Sequence, residues 1–95
     1  MLFCAHMTVS LPHDLDEHHR EELLAEELNY FTALHRSGKW VHLWRIAGRR
    51  GNISVFDVES TEELHELLWH LPLFPFLIIE VTPLVEHPSL AAVSP

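Results

Sequence analysis

The run WVHLWRIAGRRGNISVFDV, residues 40–58, decides the fold. Two stretches in it are rich in aromatic and β-branched residues, Trp40 to about Arg49 and Asn52 to Val58, and the Arg50-Gly51 pair between them suits a hairpin turn. Strands joined this way pair antiparallel. Upstream, Leu2 to Ser10 reads as a half-buried strand, with Phe3, Ala5, Met7 and Val9 on one face and Cys4, His6, Thr8 and Ser10 on the other. Pro12 breaks it, Asp14 or Asp16 caps a helix that runs to about Ser37, and Gly38 stops that helix. Downstream, Ser60-Thr61-Glu62-Glu63 is a capping box ahead of Leu64, Leu67, Leu68 and Leu71 at helical spacing, and this second helix ends before Pro72. After the rigid Leu71-Pro72-Leu73-Phe74-Pro75 turn, Phe76 to about Leu84 reads as a final strand. The order β-α-β-β-α-β, with right-handed crossovers around a central hairpin, predicts an α+β ferredoxin-like sandwich: a four-stranded antiparallel sheet with two helices on one face. The other face is left bare, which predicts a sheet-mediated homo-oligomer. Residues 1–88 form the expected domain and 89–95 a tail without pattern.

Composition narrows the partners. The 95 residues carry 6 Lys+Arg against 14 Asp+Glu, a net charge of −8, with no dense basic cluster beyond Arg49-Arg50. Phosphate backbones and anionic lipid repel such a chain, so neither nucleic acid nor a membrane surface is an expected partner. Protonating all nine histidines as pH falls through about 6.5 would more than cancel that charge, taking the formal sum to +1. The single Cys4 cannot close an internal disulfide; it fits a reducing, cytoplasmic compartment and is expected to be a small buried thiol. The start MLFCAHMTV has no basic segment before an apolar run, and no stretch of about 18 apolar residues occurs, so neither a signal peptide nor a membrane span is expected. A domain this short buries only roughly 60–65% of its unfolded surface, which again points to a core completed by association.

One charge on the first helix is out of place. At about 100° per residue, Leu23, Leu24, Leu28, Tyr30, Phe31 and Leu34 fall into one broad apolar stripe. Glu27 lies near its middle, whereas Glu22 and Glu26 point away and Glu21 sits at the border. A carboxylate under a sheet loses hydration, so its pKa rises and it becomes an unusually strong base for its kind. Glu27 is therefore the candidate general base, set against a structural pairing with Arg45 or His6. Arg45, flanked by Leu43, Trp44 and Ile46, suits bidentate capture of a carboxylate in a partly dry pocket, or a structural salt bridge. His6 and His42 are candidate ligand contacts on strands, or hydrogen-bonded interior histidines. The aromatic residues Phe3, Trp40, Trp44, Phe56, Phe74 and Phe76 are candidate walls of an apolar pocket, or core. His18-His19 and the His65/His70 pair lack metal-site spacing, and no phosphate-binding glycine loop occurs, so neither a metal nor a nucleotide cofactor is expected.

Several blocks, in order, resemble the muconolactone Δ-isomerase family: Met1-Leu2-Phe3, Met7-Thr8-Val9, Leu11-Pro12, His42-Leu43-Trp44-Arg45-Ile46-Ala47-Gly48, Asn52 with Ser54-Val55-Phe56-Asp57-Val58, and Leu71-Pro72-Leu73-Phe74-Pro75. The similarity spans about residues 1–88 without a gap. It implies a cofactor-independent isomerase that converts muconolactone to 3-oxoadipate enol-lactone, in the catechol branch of the 3-oxoadipate pathway. It also implies a homodecamer with active sites shared between subunits. The family's proposed base, a first-helix glutamate, matches Glu27. A hydrogen γ to the lactone carbonyl would leave, a dienolate would form, and the same carboxylate would return the proton to the α carbon. Arg45 is then expected to hold the substrate's acetate arm, with backbone N–H groups, His6, His42 or Ser54 donating to the developing oxyanion. The chain departs from the family in carrying His6, Leu24 and Leu28 where basic residues are common. Two alternatives keep the scaffold: a chloromuconolactone dehalogenase using the same base and dienolate, and a non-catalytic small-ligand-binding oligomeric module.

Overall fold

In a computed structural model that describes residues 1–93, the expected order of elements is present. Strands β1 (Leu2–Val9), β2 (Trp40–Arg45), β3 (Gly51–Asp57) and β4 (Leu77–Leu84) form one antiparallel sheet in the order β2-β3-β1-β4. Helices α1 (Glu17–Arg36) and α2 (Thr61–Trp69) are the two crossovers, which makes the arrangement ferredoxin-like. The tail differs from expectation, since Pro88–Val93 forms a short helix, α3, with proline in the first turn where its missing N–H costs nothing. Residues 94 and 95 of the expected tail lie outside the described residues.

Local signals set the helix ends. Asp16, not Asp14, caps α1, its side chain accepting from the His19 N–H at 3.2 Å. Gly38, at φ +83°, takes the left-handed turn beyond the C-terminus. At α2 the Ser60 hydroxyl accepts from the Glu63 N–H at 3.1 Å, a cap worth about 1 kcal/mol. Glu63 answers by accepting from the Glu59 N–H at 3.0 Å and from Lys39 Nζ at 2.9 Å, and these bonds hold its carboxyl below the usual range.

The central hairpin differs from the expected strand bounds and carries a bulge. First, β2 stops at Arg45 rather than near Arg49, and residues 46–50 form the turn, closed by Ile46 N–H to Gly51 O at 3.1 Å. Gly48, at φ +75°, takes the left-handed position. Gly51 instead opens β3, where a Cβ would stand 2.6 Å from the Met7 carbonyl oxygen on β1. Second, the register slips between Trp40 and His42, leaving Val41 as a bulge. Trp40 therefore pairs with Phe56, Leu43 with Ser54 and Arg45 with Asn52, all on the helix side of the sheet, while His42 and Trp44 turn to the open face.

The core lies between sheet and helices. Phe3, Ala5, Met7, Trp40, Phe56 and Val58 meet Leu64, Leu68 and Leu71, and Tyr30, Phe31 and Leu34 of α1 pack against them. The Tyr30 hydroxyl donates to the Leu67 carbonyl at 2.6 Å, which fixes α1 against α2. The buried stripe of α1 is narrower than its sequence suggests. Leu24 and Leu28 are 42% and 63% exposed, and both line a cavity between the helix and the sheet.

Candidate active site

The cavity between α1 and the β2–β3 hairpin has a volume of about 660 Å³, within the range of small-molecule sites. Leu24, Glu27, Leu28 and Phe31 of α1 face it from one side, and Trp40, Leu43, Arg45 and Asn52 from the sheet. Leu73 and Leu77 close one end, and Arg20 and Arg50 also reach it. The alternation of the bulged strand is what aims Leu43 and Arg45 inward; unbulged, the neighbours of Trp40 on this face would be His42 and Trp44.

Among the described residues, Glu27 is the only acidic side chain on these walls. Its Oε1 accepts from the Leu73 N–H at 3.1 Å, and Oε2 has no protein partner among the described residues. The bond to the turn after α2 fixes the carboxylate's direction. Burial pushes the Glu27 carboxyl above its ordinary range, and the Leu73 N–H only partly opposes this. Tyr30, one turn along, is raised by its own burial and then by the Glu27 charge. Against this one carboxylate stand three guanidiniums, Arg20, Arg45 and Arg50, none of which makes an ion pair among the described residues. The cavity is locally positive within a chain of net charge −8, so it favours small anions over the bulk surface. An aliphatic wall, a few unpaired cations and a half-buried base suit an anionic organic molecule that must lose a carbon-bound proton.

Of the expected site residues, the fold brings Glu27 and Arg45 into this cavity. Phe3 and Phe56 lie in the core, 2% and 0% exposed, and do not line it. Ser54 is fully buried, its hydroxyl donating to Asn52 Oδ1 at 2.7 Å, so it has no proton to offer a ligand. His6, His42 and Trp44 are on the opposite face of the sheet from the Glu27 cavity, the last two with stacked rings 4.7 Å apart. Phe74 packs on Trp69 at 4.8 Å, beyond the end of α2. Several wall residues were not expected in the site, among them Arg20, Arg50, Leu73 and Asn52. Two had a signal. Arg20 is two helical turns before Glu27, and Asn52 is two residues before Ser54 on a strand, the spacing that shares a face. Trp40, expected as a possible wall, is one; its buried indole N–H is the only buried side-chain polar atom without a partner among the described residues.

The similarity to known proteins is consistent along the chain. A family model described as muconolactone delta-isomerase matches residues 1–90. The muconolactone Δ-isomerase of Rhodococcus opacus is 54% identical over 88 residues, covering 93% of this chain and 95% of that protein. The Pseudomonas aeruginosa protein of the same name is 52% identical over 89 residues, covering 94% and 93%. A crystal structure of muconolactone isomerase superposes with a TM-score of 0.90 at 53% identity, covering 94% of this chain and 93% of that one. A 5-chloro-2-hydroxyhydroquinone dehydrochlorinase from Burkholderia phenoliruptrix superposes with a TM-score of 0.65 at 20% identity, covering 94% and 98%, and shares the fold. With half of its residues shared across nearly its whole length, and with a half-buried first-helix carboxylate in a cavity lined by arginines, the chain belongs to the muconolactone Δ-isomerase family.

Proposed function

We propose that this protein isomerises muconolactone to 3-oxoadipate enol-lactone, in the catechol branch of the 3-oxoadipate pathway, by a one-base proton shift on Glu27. The observation that carries this reading is the pairing, in one cavity, of a half-buried carboxylate of raised pKa with unpaired arginines. Muconolactone offers what each needs: an acetate arm for Arg45 and an acidic ring hydrogen for Glu27.

That hydrogen lies γ to the lactone carbonyl through a conjugated double bond. Glu27 takes it, the C–H electrons delocalise onto the carbonyl oxygen, and a dienolate results. Glu27 then delivers the same proton to the α carbon, and the double bond settles between the β and γ carbons. Atoms and electrons balance without an oxidant, a reductant or a cofactor. Geometry supports a single base, because the Leu73 N–H holds Oε1 and leaves Oε2 free to work on one side of the ring.

We further infer a homo-oligomer of cytoplasmic location whose enzymatic domain spans residues 1–88, the homodecamer being the form the family resemblance implies. Free Cys4 suits a reducing compartment. His6, His42 and Trp44 are too far round the sheet to serve their own chain's cavity, and any part they take in binding would be in a neighbouring subunit's. Chloride elimination from a chlorinated lactone uses the same base, but the relatives above half identity all carry the isomerase name.

The test is proton NMR of (+)-muconolactone in D₂O with wild type and with Glu27→Ala. Wild type is expected to form the enol-lactone rapidly, and the variant to lose about 10²- to 10⁴-fold in rate. No conversion and no deuterium entry with folded wild type would overturn the reading.

A further inference from the structure

The reaction proposed above places negative charge on the lactone carbonyl oxygen at the moment the proton leaves, and a donor must meet it there. We propose that the donor is the Asn52 side-chain amide, held in its productive orientation by the buried Ser54 hydroxyl. This rests on the isomerase reading and assigns a residue that reading leaves without a role.

Three observations converge on Asn52. It lies on the cavity wall across from α1, so a ring seated over Glu27 turns its other edge toward the sheet. It is also the cross-strand partner of Arg45. Directly opposed residues of an antiparallel pair stand about 5 Å apart, close to the separation between the acetate carboxylate and the ring carbonyl of one small lactone. If Arg45 takes the carboxylate, Asn52 is the adjacent group at the carbonyl.

The third observation fixes which end of the amide is presented. Ser54 is 0% exposed and its hydroxyl donates to Asn52 Oδ1 at 2.7 Å. The two residues are alternate positions of β3 on the same face of the sheet, so the bond runs along the strand beneath the cavity. With Oδ1 engaged from below, Nδ2 is the free end, and it has no protein acceptor among the described residues. Ser54 itself is out of reach of water, so its hydroxyl has no solvent competitor for that bond. Asn52 is therefore a neutral donor pre-aligned before substrate arrives, which is what enolate stabilisation requires. Neutrality matters: a guanidinium at that place would compete for the substrate carboxylate, whereas an amide does not. Ser54, which does not reach the ligand, acts as a positioning residue.

The experiment compares kcat and KM on muconolactone for Asn52→Ala, Asn52→Asp, Ser54→Ala and the double variant Asn52→Ala/Ser54→Ala, with thermal melting to establish folding. Asn52→Ala is expected to lower kcat about 10²- to 10³-fold with KM within about threefold of wild type. Asn52→Asp, nearly isosteric but without the donors, is expected to lose at least as much and covers the case in which alanine perturbs the strand. Ser54→Ala is expected to cost about tenfold in kcat, and that cost is expected to vanish in the Asn52→Ala background. Wild-type turnover with kcat unimpaired in either Asn52 variant overturns the assignment alone. A Ser54→Ala cost that persists undiminished in the double variant overturns its positioning role. Absence of wild-type turnover overturns the isomerase reading, and the assignment with it.

Discussion

Glu27 shows how function is written against stability at a single residue. Its carboxyl titrates above the ordinary range because the folded chain strips water from it, with the Leu73 N–H giving back only part of that loss. A carboxyl whose folded pKa is raised binds its proton more tightly folded than unfolded. Its favourable contribution is thus complete below the unfolded value, about 4.3, and is lost as pH rises through the raised folded value. At neutral pH the ionised base is a burden on the fold. Activity runs the other way, since only the ionised form accepts a proton. The acidic limb of the kcat/KM profile should therefore lie above the normal glutamate range, with rate increasing as pH rises through it, and a limb at or below about 4.3 would contradict the raised pKa. Glu27→Gln keeps an acceptor for Leu73 and removes the charge. It should melt no lower than wild type at pH 7, with the difference shrinking below about pH 4, while turnover is lost. A melting temperature several degrees below wild type at pH 7 would instead mark Glu27 as a structural carboxylate.

Among the elements, the central hairpin shows most clearly what can be read from residues and what cannot. Beside Arg50, Gly51 has the sequence character of a turn residue, yet the turn takes its left-handed residue from Gly48, and Gly51 is needed because β1 passes so close. Replacing it with alanine should cost about 1–3 kcal/mol, as overpacking against rigid backbone does, and should also impair turnover, because Gly51 borders the cavity beside Asn52. Urea unfolding and kcat would measure the two together; an alanine variant of wild-type stability would mean that β1 and β3 separate freely there. The helices were more legible, since Ser60, Asp16 and Gly38 act through hydrogen bonds and backbone angles within a few residues of themselves. Glu27 was legible for a similar reason, helical angle being a local property. Arg45 was harder, because the bulge at Val41 decides its face, and a bulge depends on how two strands meet rather than on either alone. Asn52 and the unpaired Trp40 N–H could be seen only with the cavity in view.

At the scale of the whole molecule, the outline is too long for the amount of chain. A compact domain of this length has a radius of gyration of about 12 Å, whereas the Cα atoms give 15.2 Å, and the longest dimension is 53 Å. The excess lies at the C-terminal end, where every described residue from Glu80 onward is exposed, through the second half of β4 and α3. That arm is not polar. Val85 is 86% exposed and Leu90 54%, and Trp44 on the open sheet face is 54% exposed. Small soluble domains seldom leave so much apolar surface uncovered. The family resemblance implies further copies of the chain, and the rim of the cavity points the same way, since Leu24 and Leu28 stand open above Glu27. A second copy laid against that rim would dry the site and strengthen every charge interaction within it. Light scattering on the eluting protein should accordingly give a multiple of the chain mass. Val85→Glu with Leu90→Glu should lower that mass, and turnover per chain should fall with it where the arm closes a neighbour's cavity. A wild-type protein that is monomeric at micromolar concentration and fully active would show instead that one chain closes its own site, with Leu24 and Leu28 folding inward over bound lactone.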